Sequence, residues 1–329
     1  MHCYLKNRHQ RVKVNHNYSS WIEITTGVPQ GSVLGPLLFN IFLSDIFSFF
    51  QDSDLANYAD DNTPYTCKHD IKSVLDKLQM DANELIKWVG NNTLKANPDK
   101  YHLLLSEKDK TLSLTVGNHK ICNSNNEKIL GVNFDNKLTF HDHVSELCKK
   151  ASKKLHALSR ISHYMNTNKR RIIMKAFIDS QFGYCPLIWM FHSRALNNKI
   201  NKIQERSLRL VYDDHYSSFE ELLSKDNCVT VHERNIQLLA IEVYKVINGM
   251  APKIMCQILQ LKENKNYCSR FPFKTRNINS TIYGTETISF LGPKIWMLIP
   301  KEIRKASTLE VFKQQIKHRK IKNCPCRLC

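Results

Sequence analysis

Two carboxylates stand side by side in Tyr58-Ala59-Asp60-Asp61, between short apolar stretches. Adjacent carboxylates at a tight hairpin tip repel each other unless a cation neutralises them, so the pair points to a hard divalent ion. An Asp-Asp pair is also common in ordinary turns, where the side chains cap backbone amides. Upstream lies Gly27-Val28-Pro29-Gln30-Gly31-Ser32-Val33-Leu34-Gly35-Pro36, three glycines and two prolines feeding a helical pattern. Such a loop lets backbone approach a ligand closely, and the helix start behind it favours an anionic phosphate. Alone it is a plain strand-to-helix turn. The two features in this order, with a helix between them, meet by chance far more rarely than either does.

Several elements must position these residues. Val12 and Val14, then Trp21, Ile22 and Ile24 after a polar turn at 15–20, read as a hairpin. From Pro36 the period becomes helical through Leu37, Leu38, Ile41, Phe42, Asp45, Ile46 and Phe49. Residues 55–65 read as strand-turn-strand carrying the aspartates, and 70–89 as an amphipathic helix. Strands are expected at 101–105, 112–116 and 128–134. Then the chain turns helical, at 140–161, 170–177, 196–211 and 231–246, before a Pro- and Asn-rich connection at 264–280. A last helix opens on Ser307 with Glu310 three residues later, a capping-box pattern.

Charge narrows the partners. The 329 residues carry 48 Lys and Arg against 30 Asp and Glu, a net +18 that favours a polyanion. Between 146 and 211 there are 14 basic residues and only Glu146, Asp179 and Glu205 as acids. Solvated helix faces explain any one lysine; so many on consecutive helices favour a nucleic-acid groove, with Lys149, Lys150, Lys153, Lys154, Arg160, Lys169, Arg170 and Arg171 as its lining. No membrane partner is expected, because the most apolar stretch, 36–50, is polar-interrupted and too short to span a bilayer. The N-terminus has no secretory pattern, and the odd count of 11 cysteines suits reduced thiols, so the expected location is intracellular, in cytoplasm or nucleus.

The glycine loop and the Tyr-x-Asp-Asp sequence resemble two motif blocks of the reverse transcriptases of non-LTR (LINE-like) retrotransposons. The likeness continues through Trp88, Asn92, Leu94, Asn97 and Lys100, through Leu130-Gly131-Val132 with Phe140 and His143, and through 292–300, so it covers nearly the whole chain. It implies an α+β fold: a partial right-hand polymerase palm of antiparallel sheet with helices (1–138), an α-helical basic thumb (139–212) and a mainly helical C-terminal region (213–329). It implies an RNA-directed DNA polymerase with RNA template, DNA primer and dNTP as partners, and Mg²⁺ or Mn²⁺ as cofactor. Asp60 would bind the metals and Asp61 support it. Tyr58 would pack against the primer end and Ala59 lie near the nucleotide sugar. Pro29, Gln30, Gly31 and Ser32 would shape the nucleotide pocket. Lys100 would be an acid for the departing pyrophosphate, although Tyr101 stands where the family more often has Thr.

Two-metal chemistry in this family needs a further carboxylate upstream of the loop. Before Gly27 the one acid is Glu23, in the wrong local sequence. The expectation is therefore a chain that begins inside the palm and is inactive by itself. The runner-up is a nucleic-acid-binding protein without catalysis, using the basic thumb and tail. Tyr212-Asp213-Asp214 reads as a helix C-terminal turn; His141 and His143 could ligate metal, but at a helix start they read as solvated or capping residues. Cys324, Cys326 and Cys329 could take Zn²⁺ with His318 as fourth donor, but a plain basic tail is preferred. The oligomeric state is not legible.

Overall fold

A computed structural model describes all residues except 1, 52, 107–110, 263–271, 275–283, 318, 322 and 329. The chain divides into two units, 1–130 and 131–329, so the break falls before the expected boundary at 138, and the expected thumb and C-terminal region share one unit.

The first unit is built from short antiparallel pieces and two helices. Strand β1 (Arg8–Gln10) pairs with β4 (Ile22–Ile24), while β2 (Lys13–Val14) and β3 (Asn17–Tyr18) form a tighter hairpin. The expected hairpin is therefore two nested pairs with a smaller turn than 15–20: Val14 faces Asn17, and Ile22 faces Gln10. Asn15 explains this, since its φ of 54° closes the smaller turn. Helix α1 (Gly35–Leu43) carries Pro36 in its first turn, as expected, and a 3-10 turn continues from Ile46 to Phe49. Strands β5 (Asp54–Tyr58) and β6 (Asp61–Tyr65) are antiparallel, with Tyr58 opposite Asp61.

Helix α2 (Ile71–Asn91) starts where the Asp70 carboxylate accepts the amides of Lys72 and Ser73. A hydrogen bond from the Ser73 side chain, followed by that of the Ser73 amide, holds the Asp70 carboxyl below its ordinary range. A three-stranded sheet follows, β7 (Leu103–Leu104), β9 (His119–Ser124) and β8 (Ser113–Val116) in that order. Residues 128–134 do not form one strand. They split into β10 (Asn126–Ile129) and β11 (Val132–Asp135), because Leu130 and Gly131 both take positive φ.

The core of this unit that supports the hairpin is small. Leu43, Ile46 and Trp88 are buried, with Phe39, Phe49, Phe50, Leu55, Leu85 and Val89 packed around them. The Trp88 indole N–H donates to Asp45 Oδ1 at 3.1 Å, tying α2 to the end of α1.

The second unit is helical: α3 (His141–Ile161), α4 (Thr167–Ile173), α5 (Arg194–Tyr212), α6 (Phe219–Lys225), α7 (Val231–Ile247), α8 (Ile288–Leu298) and α9 (Leu309–Ile316), with shorter turns between. The Asp135 carboxylate accepts the amides of Lys137, Thr139 and Phe140 and so shapes the entry to α3. One cluster unites α3, α5 and α6 around Val144, Cys148, Ile200 and Leu208. A second unites α7, α8 and α9, with Tyr244 stacked on Phe312 at 4.4 Å. The cap of α9 is Thr308, whose side chain accepts from the Val311 amide; Ser307 is not the cap, and Glu310 pairs with Lys313 instead. Most of the connection at 264–280 lies outside the described residues.

Trp88 is 2% exposed, so Trp88→Ala is expected to destabilise the first unit by about 3–5 kcal/mol. Trp88→Phe, which keeps most of the packing and loses the Asp45 hydrogen bond, is expected to cost about 1 kcal/mol. Amide hydrogen exchange of residues 71–91 measures both.

Candidate polymerase site and basic helices

The aspartate pair occupies the tip of a two-residue hairpin. Ala59 and Asp60 form the turn, and Ala59 has φ 53°, the left-handed region that closes it. Asn57 braces this turn: its side-chain amide donates to Ala59 O at 3.0 Å and to Asn62 Oδ1 at 2.8 Å. Along β5, Leu55 and Asn57 are half-buried while Ala56 and Tyr58 are exposed, the alternation of a strand with one covered face. Leu55 reaches the Trp88 cluster, so the tip stands on the aromatic core. Tyr58, Ala59, Asp60 and Asp61 are all exposed.

Beneath the hairpin, Asp81 of α2 is buried and accepts the Gln51 amide at 3.3 Å and the Ser53 hydroxyl. Nothing in the sequence pattern set Asp81 apart from the solvated acids of an amphipathic helix. Its partners lie 28 and 30 residues away.

The glycine loop is held by Ser32, Tyr4 and Arg8. Gly27 and Gly31 take φ 72° and 77°, and a Cβ on Gly35 would lie 2.9 Å from Ser32 Oγ and 3.1 Å from Pro29 O. Ser32 Oγ donates to Pro29 O at 2.7 Å and accepts from the Gly35 amide and the Tyr4 hydroxyl. Arg8 donates to the carbonyls of Thr26 and Gly27 at 3.1 and 2.7 Å. Pro29 and Ser32 are half-buried, whereas Gln30 and Gly31 are exposed. Lys100 ends a 3-10 turn (Pro98–Lys100) and is exposed.

On α3, Lys149, Lys153, His156 and Arg160 fall three or four apart and are exposed, opposite the buried His143, Val144, Cys148, Ala151 and Leu158. Lys150 is paired with Glu146 at 2.7 Å, and the Lys154 ammonium lies 6.0 Å from the Phe177 ring. Lys169 is exposed. On α5, Lys199, Lys202 and Arg206 form a second exposed row. Arg170 and Arg171 are occupied within the chain. Arg170 donates to the carbonyls of Ser162, Met165 and Leu210. Arg171 and Lys175 pair with Asp226, whose side chain is 1% exposed and also accepts the Tyr212 hydroxyl at 2.8 Å.

Burial pushes the Asp226 carboxyl up, but the hydrogen bonds from Arg171 and Tyr212 and the nearby positive charges outweigh it, so it titrates below the ordinary carboxylate range. Burial, followed by Asp226, pushes the Tyr212 phenol up to about 12.

The secondary features resolve as follows. Asp213 caps the end of α5 with φ 53° and Asp214 accepts the amides of Tyr216 and Ser217, a helix C-terminal turn as expected. His143 is neither solvated nor a cap: it is 4% exposed, and its Nδ1 accepts the Asn133 amide at 3.3 Å. Among the described residues no helix is long and apolar enough to cross a membrane.

A right-hand polymerase carries its metals on carboxylates at such a hairpin, and the residues present meet this only in part. Asp60 and Asp61 offer hard oxygen donors. Among the described residues no three His, Cys, Asp or Glu side chains gather where they could hold a metal ion. No catalytic step through a metal is therefore derived.

The loop, helix and aspartate hairpin all lie within the stretch that resembles a known polymerase family. Residues 1–134 match the reverse transcriptase (RNA-dependent DNA polymerase) family. The chain is 28% identical over 246 residues to a probable RNA-directed DNA polymerase from transposon BS of Drosophila melanogaster, covering 70% of this chain and 27% of the relative. It is 26% identical over 220 residues to the polymerase from mobile element jockey (63% and 24%), and 30% identical over 225 residues to a probable one from transposon X-element (63% and 24%), both from Drosophila melanogaster. The expected kinship with non-LTR retrotransposon reverse transcriptases is borne out, and a non-catalytic binding protein is not favoured. The chain spans about a quarter of the length of the curated relatives it matches. No solved structure matches it. The reverse transcriptase family uses divalent metal, RNA template and nucleotides in general.

Asp226→Asn is expected to lower stability by roughly 2–3 kcal/mol, the scale of a charge-assisted hydrogen bond lost in a buried setting. Because the native carboxyl titrates low, its contribution is present above the ordinary carboxylate range, near pH 4, and is lost as pH falls through the native value. Urea unfolding at pH 7 and pH 3 should show the gap between wild type and variant narrowing at the lower pH.

Proposed function

We propose that this chain supplies the palm-to-thumb portion of a retrotransposon RNA-directed DNA polymerase. The observation that carries this is the exposed Asp60–Asp61 pair at a braced hairpin tip, in the segment that matches the reverse transcriptase family. In this reading Asp60 and Asp61 face the Mg²⁺ or Mn²⁺ ions of the polymerase, and Tyr58 lies against the primer end. Pro29, Gln30, Gly31 and Ser32 bound the nucleotide, their loop shape supported by the Ser32 hydrogen bonds to Pro29 and Gly35. Lys100, exposed after its 3-10 turn, serves the departing pyrophosphate. RNA template and DNA primer lie along the exposed Lys149, Lys153, Arg160 and Lys169, whereas Arg170 and Arg171 support that surface from within.

With two carboxylates as its partial donor set, the 329-residue chain is inactive alone. Primer extension on an RNA template with Mg²⁺ or Mn²⁺ tests this: no extension is expected from the chain, and Asp60→Asn should change nothing. Fusion to a preceding palm segment that brings a further aspartate should create activity, which Asp60→Asn then lowers on the order of a thousandfold. Extension by the chain alone, abolished by Asp60→Asn, would show that another carboxylate completes the site.

The binding surface has its own test. Affinity for an RNA–DNA duplex should fall steeply with salt, and each of Lys149→Gln, Lys153→Gln and Arg160→Gln should reduce the log–log slope by roughly 0.9. Fluorescence anisotropy between low and physiological salt measures it, and an unchanged slope in the triple variant removes α3 from the interface.

A further inference from the structure

The C-terminal tail is docked rather than solvated. Arg327 pairs with Glu286 at 3.0 Å, its carbonyl accepts from Arg194, and Gln237 donates to the Arg319 carbonyl. Cys324 and Cys326 pack against the α7–α9 core, and Cys326 lines a cavity of about 30 Å³ with His192 and His232. His318 and Cys329 lie outside the described residues. The ribbon of β1 to β4 is the opposite case, with apolar and aromatic side chains left in water.

Before Asp45 the chain has one acid, Glu23, which stands opposite His9 in the β1–β4 pair. Lys13 and Tyr18 are directly opposed across β2 and β3, so both side chains rise from one face of the hairpin. The Lys13 ammonium lies 5.2 Å from the centre of the Tyr18 ring. The Arg11 guanidinium lies 4.0 Å from the centre of that ring and 4.7 Å from the centre of the Trp21 ring. A guanidinium so placed is attracted by both ring quadrupoles and holds the two aromatics as a pair. Among the described residues neither Arg11 nor Lys13 has a carboxylate partner.

The rings stay open to water. Trp21 is 61% exposed and Tyr18 50%, and Val12, Val14 and Ile22 beside them are exposed as well. None of the five belongs to the Trp88 cluster beneath the aspartate hairpin. Trp88, Trp189 and Trp296 are at most 5% exposed, so of the four tryptophans only Trp21 meets water. The ribbon is anchored at its base: Arg8 donates to the Leu5, Thr26 and Gly27 carbonyls and fixes β1 to the glycine loop.

We propose that Arg11, Lys13, Tyr18 and Trp21 form a stacking platform for an unpaired strand of nucleic acid. The ligand is an anion, because two cations without carboxylate partners complement phosphate. It also carries flat faces that are free, because a protein ring stacks on a base only where that base has left a duplex. A single strand meets both conditions, and a duplex only the first. Stacking of this kind tolerates any base, so no sequence preference is expected. The platform needs no metal and lies wholly within the first unit, and it stands apart from both the polymerase reading and the duplex surface of α3.

The full chain is titrated with an oligouridylate of about 12 nucleotides, within the usual span of a single-strand site. Intrinsic fluorescence reads the platform directly, since stacking should quench the exposed indole of Trp21. An abasic strand of the same length and a blunt RNA–DNA duplex should bind through phosphate alone and leave that emission unchanged. Trp21→Ala and Tyr18→Ala should each weaken oligouridylate binding by roughly fivefold or more, with an unaltered salt slope. Arg11→Gln should instead flatten the log–log salt slope by roughly 0.7. The proposal is overturned by an absence of quenching at saturation, by equal quenching from the abasic strand or the duplex, or by wild-type affinity in Trp21→Ala. A blue shift with phosphatidylserine vesicles and no response to oligouridylate would overturn it in favour of a membrane-facing ribbon. Should the alanine variants unfold, the wild-type titrations decide alone.

Discussion

The indole of Trp88, 2% exposed and hydrogen-bonded to Asp45, is what lets the first unit hold a pair of like charges at its surface. A two-stranded hairpin by itself is marginal in water, and adjacent carboxylates at its tip make it worse. Leu55 relieves this by joining the cluster of Trp88, Leu43 and Ile46, which also receives the end of α1. The same cluster thus supports the aspartate tip and the helix that follows the glycine loop. Asp81 adds a second tether below the hairpin by accepting from Gln51 and Ser53.

The second unit solves a different problem. Its outer faces carry closely spaced cations, Lys149, Lys153 and Arg160 on α3 and Lys199, Lys202 and Arg206 on α5. Beneath them, Asp226 gathers Arg171, Lys175 and Tyr212. One buried carboxylate thereby neutralises charge that would otherwise add to the repulsion within a basic chain, and fixes α4 against α6. Cations facing water remain available for phosphate, while those beneath are spoken for. The distinction matters for function, since only a cation free to displace counterions contributes to nucleic-acid affinity.

Much of the first unit was legible because its signals are local. The alternation and turn at 55–65, the Asp70 cap with the stripe behind it, and Pro36 at a helix start all act within a few residues. The placing of Asp60 and Asp61 at a hairpin tip was legible for the same reason. What escaped has long-range causes. Strand β9, His-Lys-Ile-Cys-Asn-Ser, is polar by composition and is held by neighbours on both sides. Arg171 looked like any other basic residue because Asp226 is 55 positions away. Thr308 rather than Ser307 caps α9, a choice between two adjacent hydroxyls that only the backbone decides. The contact between His232 and Cys326, 94 positions apart, has no signal in spacing.

The tail, where Arg327 pairs with Glu286 and its carbonyl accepts from Arg194, also sets a timetable for biosynthesis. Arg327 contacts a residue 133 positions earlier, and Arg319 one 82 positions earlier. A ribosome releases the chain from one end only, so α5 and α7 emerge long before the segment that covers them. Until residue 327 has cleared the exit tunnel, the cavity beside His192 and the apolar surface around Met190 and Leu291 stay uncovered. For that interval the nascent second unit is an incomplete fold with a wet seam, and this is the stage at which a chaperone would find the most to hold.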